Sequence, residues 1–506
     1  MGGDVYFAGE HYTSANIADA AARAASGLRA LGAKNGRVAL FMRNDVAFLA
    51  ASEAARQAGA ITLPVNCQLK AEDLAYILED SGADVVIAHA DLWRHVGRHL
   101  PTLLKDRLSV IVVPTPIATC TAFQIDPTEA SVPQDVLDWN TLIAENVPLV
   151  SPETTDLYPL IYTSGTTGRP KGVQRLATTT PAPVAYDAFF EADMRTLLAA
   201  PLYHSAPNRF LQGTFHAGGT LVLSERFSAE AILKDMERHR ITTTFMVPAM
   251  FQRLIQLPSK VRHAHDLTSL RHVVVAGAPC PVDLKAAMID WWGPVIYEYY
   301  GSTETSALTF ASSDDAIAKP GTVGRTVPTA EIKILDEART PCLPGISGEI
   351  FGRRLDIPDF TYLNSPDARA AVSAGDLVSV GDVGYLDEDG YLFVNDRKTD
   401  MIISNGMNVY PAQVEAAVMN HPAIRDCAVF GIPDAKAGEA VAAIIQTDKE
   451  SVFDQEELAA YLDKRLPAYM VPKLIKHRQD FPRDETGKIK KSELRAPYWQ
   501  GCERKI

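Results

Sequence analysis

Between residue 15 and about residue 330 the chain alternates two patterns. Short, almost wholly apolar runs ("RVALFM", "DVVIAH", "LSVIVVP", "RHVVVAG", "PVIYEYY") are separated by stretches whose apolar residues recur at helical spacing. A strand buried on both faces reads as a continuous apolar run, and helices crossing between parallel strands supply that cover. The stretch 15–32, "ANIADAAARAASGLRALG", keeps helical spacing and ends on Gly32, a C-terminal stop signal. "AFLAASEAARQAGA" reads as a second helix ending at glycine. The pattern predicts an α/β chain of parallel or mixed sheets covered by helices. Open sheets of this kind place ligands beyond their strand ends, which directs attention to "VVAGAPCP" (274–281) and "EYYGSTE" (298–304).

Past residue 330 the pattern changes to short strands with turn residues, "AEIKILDE", "SGEIFGR" and "GDVGYLDEDGYLFVND", in which "DEDG" reads as a hairpin turn. From about residue 400 the expectation is a small α+β unit. Pro411 opens a helix through "AQVEAAVMN", "CAVFGI" and "AVAAIIQT" are strands, and "DQEELAAYLDKRL" is an amphipathic helix. The charged stretch "NDRKTDM" (395–401) is the expected boundary. The expected organisation is a large domain over 1–395 with a small β-rich subdomain, a hinge at 396–400 and a mobile domain over 401–506. A length of 506 residues suits several cores better than one.

The charge balance argues against nucleic acid as a partner. There are 49 Lys and Arg against 62 Asp and Glu, a net charge of −13, whereas nonspecific nucleic-acid binding needs basic surface. The six cysteines form no CxxC pair, so a reducing cytoplasm is the simplest reading. No run of about 18 apolar residues is present, and no transmembrane segment is expected. A homo-oligomer is compatible with the sequence but not specified by it.

"YTSGTTGRPKG" (162–172) concentrates small donors: Thr163, Ser164, Thr166 and Thr167 interleaved with Gly165, Gly168 and Gly172, beside Arg169, Pro170 and Lys171. Backbone N–H groups of a glycine-rich turn cradle anions, and hydroxyls and a lysine add charge-assisted bonds. The spacing is not that of the GxxxxGK[ST] loop. A plain surface loop also favours Ser, Thr and Gly, but seldom with a Pro-Lys pair among them.

This stretch resembles the phosphate-loop signature of the adenylate-forming superfamily, which comprises acyl-CoA synthetases, adenylation domains and luciferases. The resemblance recurs in order, at "YYGSTE" (299–304), "GDVGY" (381–385), "DRKTDMIISNGMNVYPAQVE" (396–415) and "PRDETGKIKKSEL" (482–494), and covers nearly the whole chain. It is nearest to the fatty-acyl and aryl ligases. It implies that Tyr300 stacks on adenine, Thr303 contacts the α-phosphate, Glu304 binds Mg²⁺, and Asp382 with Arg397 holds the ribose. His204 in "PLYHSAP" resembles the aromatic position between acid pocket and thiol tunnel. Gly277 and Ala278 would border adenine and acyl group. Met246, Val247, Tyr299, Gly301 and Ser302 complete the implied acid and nucleotide pocket. Lys488 in "TGKIKKSEL" matches the lysine that reaches the carboxylate and α-phosphate. Ser404, Asn405 and Gly406 match the loop lining the pantetheine tunnel. One departure stands at the hinge, where Thr399 occupies a position usually filled by Asp or Lys.

Each assignment has a plainer competitor. An aromatic pair at a strand end usually packs a core, Asp382 could be an ordinary turn residue, and the basic cluster around Lys488 could be a solvated tail. The motif order outweighs these alternatives. The implied activity is an ATP- and Mg²⁺-dependent ligase joining an apolar acid, aliphatic or aryl, to coenzyme A through an acyl-adenylate. An enzyme loading an acyl carrier protein stands second. An idle nucleotide-binding protein of the same fold stands third, disfavoured because Lys171, Glu304, Asp382, Arg397 and Lys488 are all present. Gly301 carries a specific expectation, that a tryptophan there would fill acyl volume.

Overall fold

The first long helix shows how the sequence sets local structure. Helix Ser14–Ala30 begins at Thr13, whose hydroxyl accepts the Asn16 N–H while the Asn16 side chain takes the Thr13 N–H. It buries Ile17, Ala21, Ala24 and Leu28 and packs on helix Val46–Ala58. Gly32, with φ 82°, carries the chain out of it as expected. The computed structural model describes residues 2–152, 158–163, 169–176, 189–447, 454–483 and 487–502.

The alternating region forms two sheets. One has nine described strands in the order Arg325–Thr326, Ser306–Ala311, Ile296–Ser302, His272–Val275, Thr243–Met246, Arg195–Leu198, Thr220–Leu223, Val5–Phe7 and Glu10–Tyr12. Its middle is parallel, and both rims are antiparallel. The reason at one rim is chain length. Only Thr303, Glu304 and Thr305 separate Ile296–Ser302 from Ser306–Ala311, far short of the dozen or so residues of a parallel crossover. The second sheet, Ile61–Pro64, Arg37–Phe41, Val85–His89, Ser109–Val113 and Leu137–Asp138, is parallel throughout. The largest core lies between these sheets and their helices, around Leu40, Phe48, Leu197, Met246 and Val274.

The turn-rich region is antiparallel. Strands Ala330–Leu335, Gly348–Arg354, Asp382–Leu386 and Leu392–Arg397 pair in sequence, with Gly390 (φ 79°) in the expected "DEDG" turn. A smaller sheet joins Ile161–Thr163 and Lys171–Arg175 to Phe360–Tyr362. The last unit has its own five-stranded sheet, helices Pro411–Met419 and Gln455–Asp463, and a core around Ile402, Val429, Val441 and Leu458. It touches the large region near helix Pro248–Ile255. Gln256 Nε2 donates to Arg425 O at 3.4 Å, and a Cβ on Gly487 would lie 3.3 Å from Ala249 Cβ. No described helix is long and apolar enough to cross a membrane.

Candidate active site

The glycine-rich stretch is gripped at both ends by helix Ala71–Ser81. Tyr162 donates its hydroxyl to Asp80 Oδ2 at 2.6 Å, Tyr76 donates to Pro170 O at 3.2 Å, and the Arg169 guanidinium lies 4.9 Å from the Tyr76 ring centre. Strands Ile161–Thr163 and Lys171–Arg175 pair antiparallel, with Thr163 opposite Lys171. Ser164, Gly165, Thr166, Thr167 and Gly168 lie outside the described residues. The Lys171 ammonium sits 5.3 Å from the Tyr362 ring centre.

Glu304 is where this hairpin meets the large sheet. Its Oε1 accepts from Thr163 Oγ1 at 3.2 Å and from the Tyr362 hydroxyl at 3.0 Å, and the residue is buried. Burial, then Glu304, push the Tyr362 hydroxyl up, so it remains a donor. Among the described residues Oε2 accepts no hydrogen bond, and no group of three or more His, Cys, Asp or Glu could hold a metal ion. A single carboxylate suits a cation that takes its other ligands from phosphate and water, as Mg²⁺ does. Arg175 holds the preceding peptide. It donates to Thr303 O at 2.6 Å, Ser306 Oγ at 3.2 Å and Pro358 O at 3.1 Å.

Tyr300 and Asp382 meet from different sheets. The Tyr300 hydroxyl donates to Asp382 Oδ2 at 2.8 Å, and Arg397 Nε lies 3.5 Å from Asp382 Oδ1. Asp382 and Arg397 are register partners at the end of their hairpin. Burial and then Asp382 raise the Tyr300 hydroxyl well above its ordinary value, which keeps its proton on the bond. Burial likewise pushes up the neighbouring Tyr299 hydroxyl.

The remaining implied pocket residues lie at or beyond the C-terminal ends of neighbouring strands of the large sheet. Gly277 (φ 86°) follows strand His272–Val275, and a Cβ on it would lie 3.7 Å from Val247 Cγ1, with Ala278 next in the turn. Met246 is buried at the end of strand Thr243–Met246. His204 is the N-cap residue of helix Ser205–His216, its ring centre 4.5 Å from that of Tyr203. Ser302 and Thr305 exchange hydrogen bonds of 3.1 Å that close the turn carrying Thr303 and Glu304. At Gly301 the structure corrects the sequence reading. The strand bulges between Tyr300 and Gly301, and a Cβ there would sit 2.0 Å from Ser306 O and 2.7 Å from Ala307 Cα. A side chain at 301 meets backbone, so a tryptophan could not simply occupy acyl volume.

In the last unit, Asn405 (φ 52°) and Gly406 (φ 76°) form the two-residue turn between Ile402–Ser404 and Met407–Val409, the left-handed pair that tight hairpins demand. The basic cluster near Lys488 is partly docked, although Lys488 and Lys490 are themselves exposed. Arg483 pairs with Asp426 at 2.6 Å and donates to Gly487 O at 2.9 Å, and Lys491 pairs with Glu415 at 2.7 Å. A cavity of about 290 Å³ opens beside Tyr203, walled by Arg43, Asn44, Phe123, Arg226 and Arg253. Arg175, Tyr362 and the Tyr76–Asp80 grip are absent from the sequence reading. None of them has a sequence signal, because their partners lie 58 to 183 residues away.

The chain matches the AMP-binding enzyme family over residues 4–355 and the AMP-binding enzyme C-terminal domain over 413–488. It is 34% identical to a feruloyl-CoA synthase of an Amycolatopsis species, over 97% of this chain and 94% of that protein. It is 31% identical to the long-chain-fatty-acid–CoA ligase FadD13 of Mycobacterium tuberculosis, over 96% and 93% of the two chains. Among solved structures it resembles the o-succinylbenzoate CoA synthetase of Bacillus subtilis in complex with its acyl-adenylate intermediate, with TM-score 0.78, 26% identity and 97% and 94% coverage. The chain belongs to the AMP-binding enzyme family, and within it to the AMP-forming ligases that join a carboxylic acid to coenzyme A through an acyl-adenylate.

Proposed function

We propose that this ligase acts on a medium-to-large apolar acid, aliphatic or aryl, and that the residues gathered around Glu304 and Asp382 bind its nucleotide. The reading rests above all on one observation. Three sequence-distant motifs converge through Thr163–Glu304, Tyr362–Glu304 and Tyr300–Asp382 on the turn that carries Thr303.

A carboxylate is a poor acyl donor because its leaving group would be an oxide. Attack on the α-phosphorus of ATP expels pyrophosphate and gives a mixed anhydride, whose leaving group is then AMP. In this reading the loop 163–168 and Lys171 hold the phosphates, Asp382 accepts the ribose hydroxyls with Arg397 beside it, and the Tyr300 ring faces adenine. Thr303 donates to the α-phosphate, and Lys488 supplies positive charge where it builds on the transferring group. Mg²⁺ fits Glu304 and, when bound, would neutralise phosphate charge. His204, Met246, Val247, Gly277 and Ala278 border the acid. Mostly apolar and small, they favour burial of an apolar chain or ring.

The second half-reaction has the thiol of coenzyme A attack the acyl carbonyl as AMP leaves. We place a hinge at residues 396–400, between a domain over 1–395 and one over 401–506. Rotation there would withdraw Lys488 and bring Ser404, Asn405 and Gly406 to the pantetheine path, excluding water from the adenylate. The position of Gly487 against Ala249 supports assignment of this arrangement to the adenylating stage. Pyrophosphate and AMP release should be measured with a panel of acids, with and without coenzyme A. Acid-dependent pyrophosphate release, with AMP release requiring coenzyme A, supports the reading. Release that is equal with every acid, or turnover only with a carrier protein, sinks it.

A further inference from the structure

Lys285 and Glu298 form an ion pair inside the large domain, and both residues are at least 96% buried. Lys285, on helix Val282–Trp292, donates Nζ to Glu298 of strand Ile296–Ser302 and to Thr322 O at 3.2 Å. The Cys280 backbone N–H also faces the Glu298 carboxylate. Thr322 passes the connection on, since its hydroxyl donates to Leu392 O at 2.9 Å and accepts the Gly324 N–H at 3.0 Å. Leu392 opens the strand that ends at Arg397. Each end of the pair therefore holds a segment that carries an implied nucleotide contact. Cys280 closes the turn of Gly277 and Ala278, Glu298 lies two residues before Tyr300 on the same face of its strand, and Leu392 leads to the Arg397–Asp382 pair.

Stability does not account for this arrangement. Desolvating two charges costs as much as their attraction returns, and well-packed apolar residues of similar volume usually serve the fold as well or better. What apolar packing cannot supply is direction. An ammonium bonded to a carboxylate and a carbonyl, with that carboxylate facing a backbone N–H, holds three segments in one relative position. We propose that Lys285 and Glu298 are positioning residues for the nucleotide, setting the cleft between the Gly277–Cys280 turn and Tyr300 and thereby the affinity and selectivity for adenine. The inference rests on the nucleotide site proposed above.

The test compares the parent with two double variants, Lys285→Met/Glu298→Leu and Lys285→Met/Glu298→Gln. Calorimetry gives the ATP Kd, pyrophosphate release gives KM for ATP and for the acid, GTP is the competing nucleotide, and Tm is measured on each protein. For the Met/Leu pair we expect Tm at or above the parent, ATP Kd and KM raised about tenfold, acid KM within about twofold, and weaker preference for ATP over GTP. The Met/Gln pair keeps an acceptor for the Cys280 N–H and should recover part of the loss. ATP affinity within about twofold of the parent in a Met/Leu variant of unimpaired Tm overturns the proposal, as does a loss that follows Tm across both variants. Should the Met/Leu variant fail to fold, Glu298→Gln read well below its Tm decides by the same ATP criterion. Failure of the parent itself to bind ATP would instead overturn the underlying nucleotide-site reading.

Discussion

The Tyr300 hydroxyl and the Asp382 carboxylate, 2.8 Å apart, join the rim of the nine-stranded sheet to the antiparallel region that follows it in sequence. Asp382 thus has one oxygen toward Tyr300 and the other toward Arg397 before any substrate arrives. A carboxylate held this way needs little reordering to accept a pair of hydroxyls, and that is the physical content of its proposed ribose role.

Asp382→Ala should weaken ATP binding by roughly 1.5–3 kcal/mol, the cost of leaving charged hydrogen-bond partners unmatched. Both half-reactions should suffer, because the ribose stays bound throughout. Tyr300→Phe keeps the ring but loses the bond to Asp382, and about 0.5–1.5 kcal/mol is expected. Titration calorimetry with ATP checks both. Parent-like affinity in Asp382→Ala would reduce the residue to part of a turn.

The sequence carries those parts of the fold that depend on local pattern. The helix ending before Gly32, the buried strands and the "DEDG" hairpin all follow from periodicity and turn residues. Periodicity does not say which strands share a sheet, so the division of the alternating region into two sheets is invisible in it. The antiparallel return after Ser302 was legible in principle, from the three residues available for the connection. At the site, residues within named motifs could be proposed individually. Arg175 and Tyr362 could not, since their partners are fixed by strand pairing across the small sheet that joins Lys171–Arg175 to Phe360–Tyr362.

Gly301 gives a prediction opposite to the volume-filling expectation. Because its Cβ direction meets the Ser306 carbonyl, Gly301→Ala should strain the bulge that carries Thr303 and Glu304, costing about 1–3 kcal/mol as overpacking does. Tm and adenylation rate should fall together while relative kcat/KM for long and short acids stays level. A changed chain-length profile at parent Tm would restore the pocket-filling view.

Asp91 sets a pH dependence. Burial pulls its carboxyl up, but Arg43, whose Nη2 donates at 2.8 Å, and the Thr115 hydroxyl outweigh burial and hold it below the usual carboxylate range. A depressed carboxyl contributes stability that is fully present above its unfolded value near 3.9 and is lost as pH falls through the folded value. Asp91→Asn should therefore lower stability at pH 7 by about 1.5–3 kcal/mol. The gap between parent and variant should narrow as pH drops below about 4. Thermal midpoints across pH 3 to 8 measure it; a gap independent of pH would show that the ionised form contributes nothing.

A change at Lys488 tests whether the two half-reactions use different arrangements. Its neighbour Gly487 lies against Ala249, at the start of the helix that follows Met246 and Val247, in the arrangement assigned to adenylation. If the last unit then rotates, the Lys488 charge serves the first transition state and is withdrawn from the second. Lys488→Ala should slow adenylation by about two orders of magnitude, the scale of losing one transition-state donor. Thioester formation from supplied acyl-adenylate and coenzyme A should stay within several-fold of the parent. A docked structural tail predicts that both rates fall along with Tm, because the segment is tied through Arg483 to Asp426 and Lys491 to Glu415. Equal loss in both half-reactions at parent Tm would leave no role for rotation about residues 396–400.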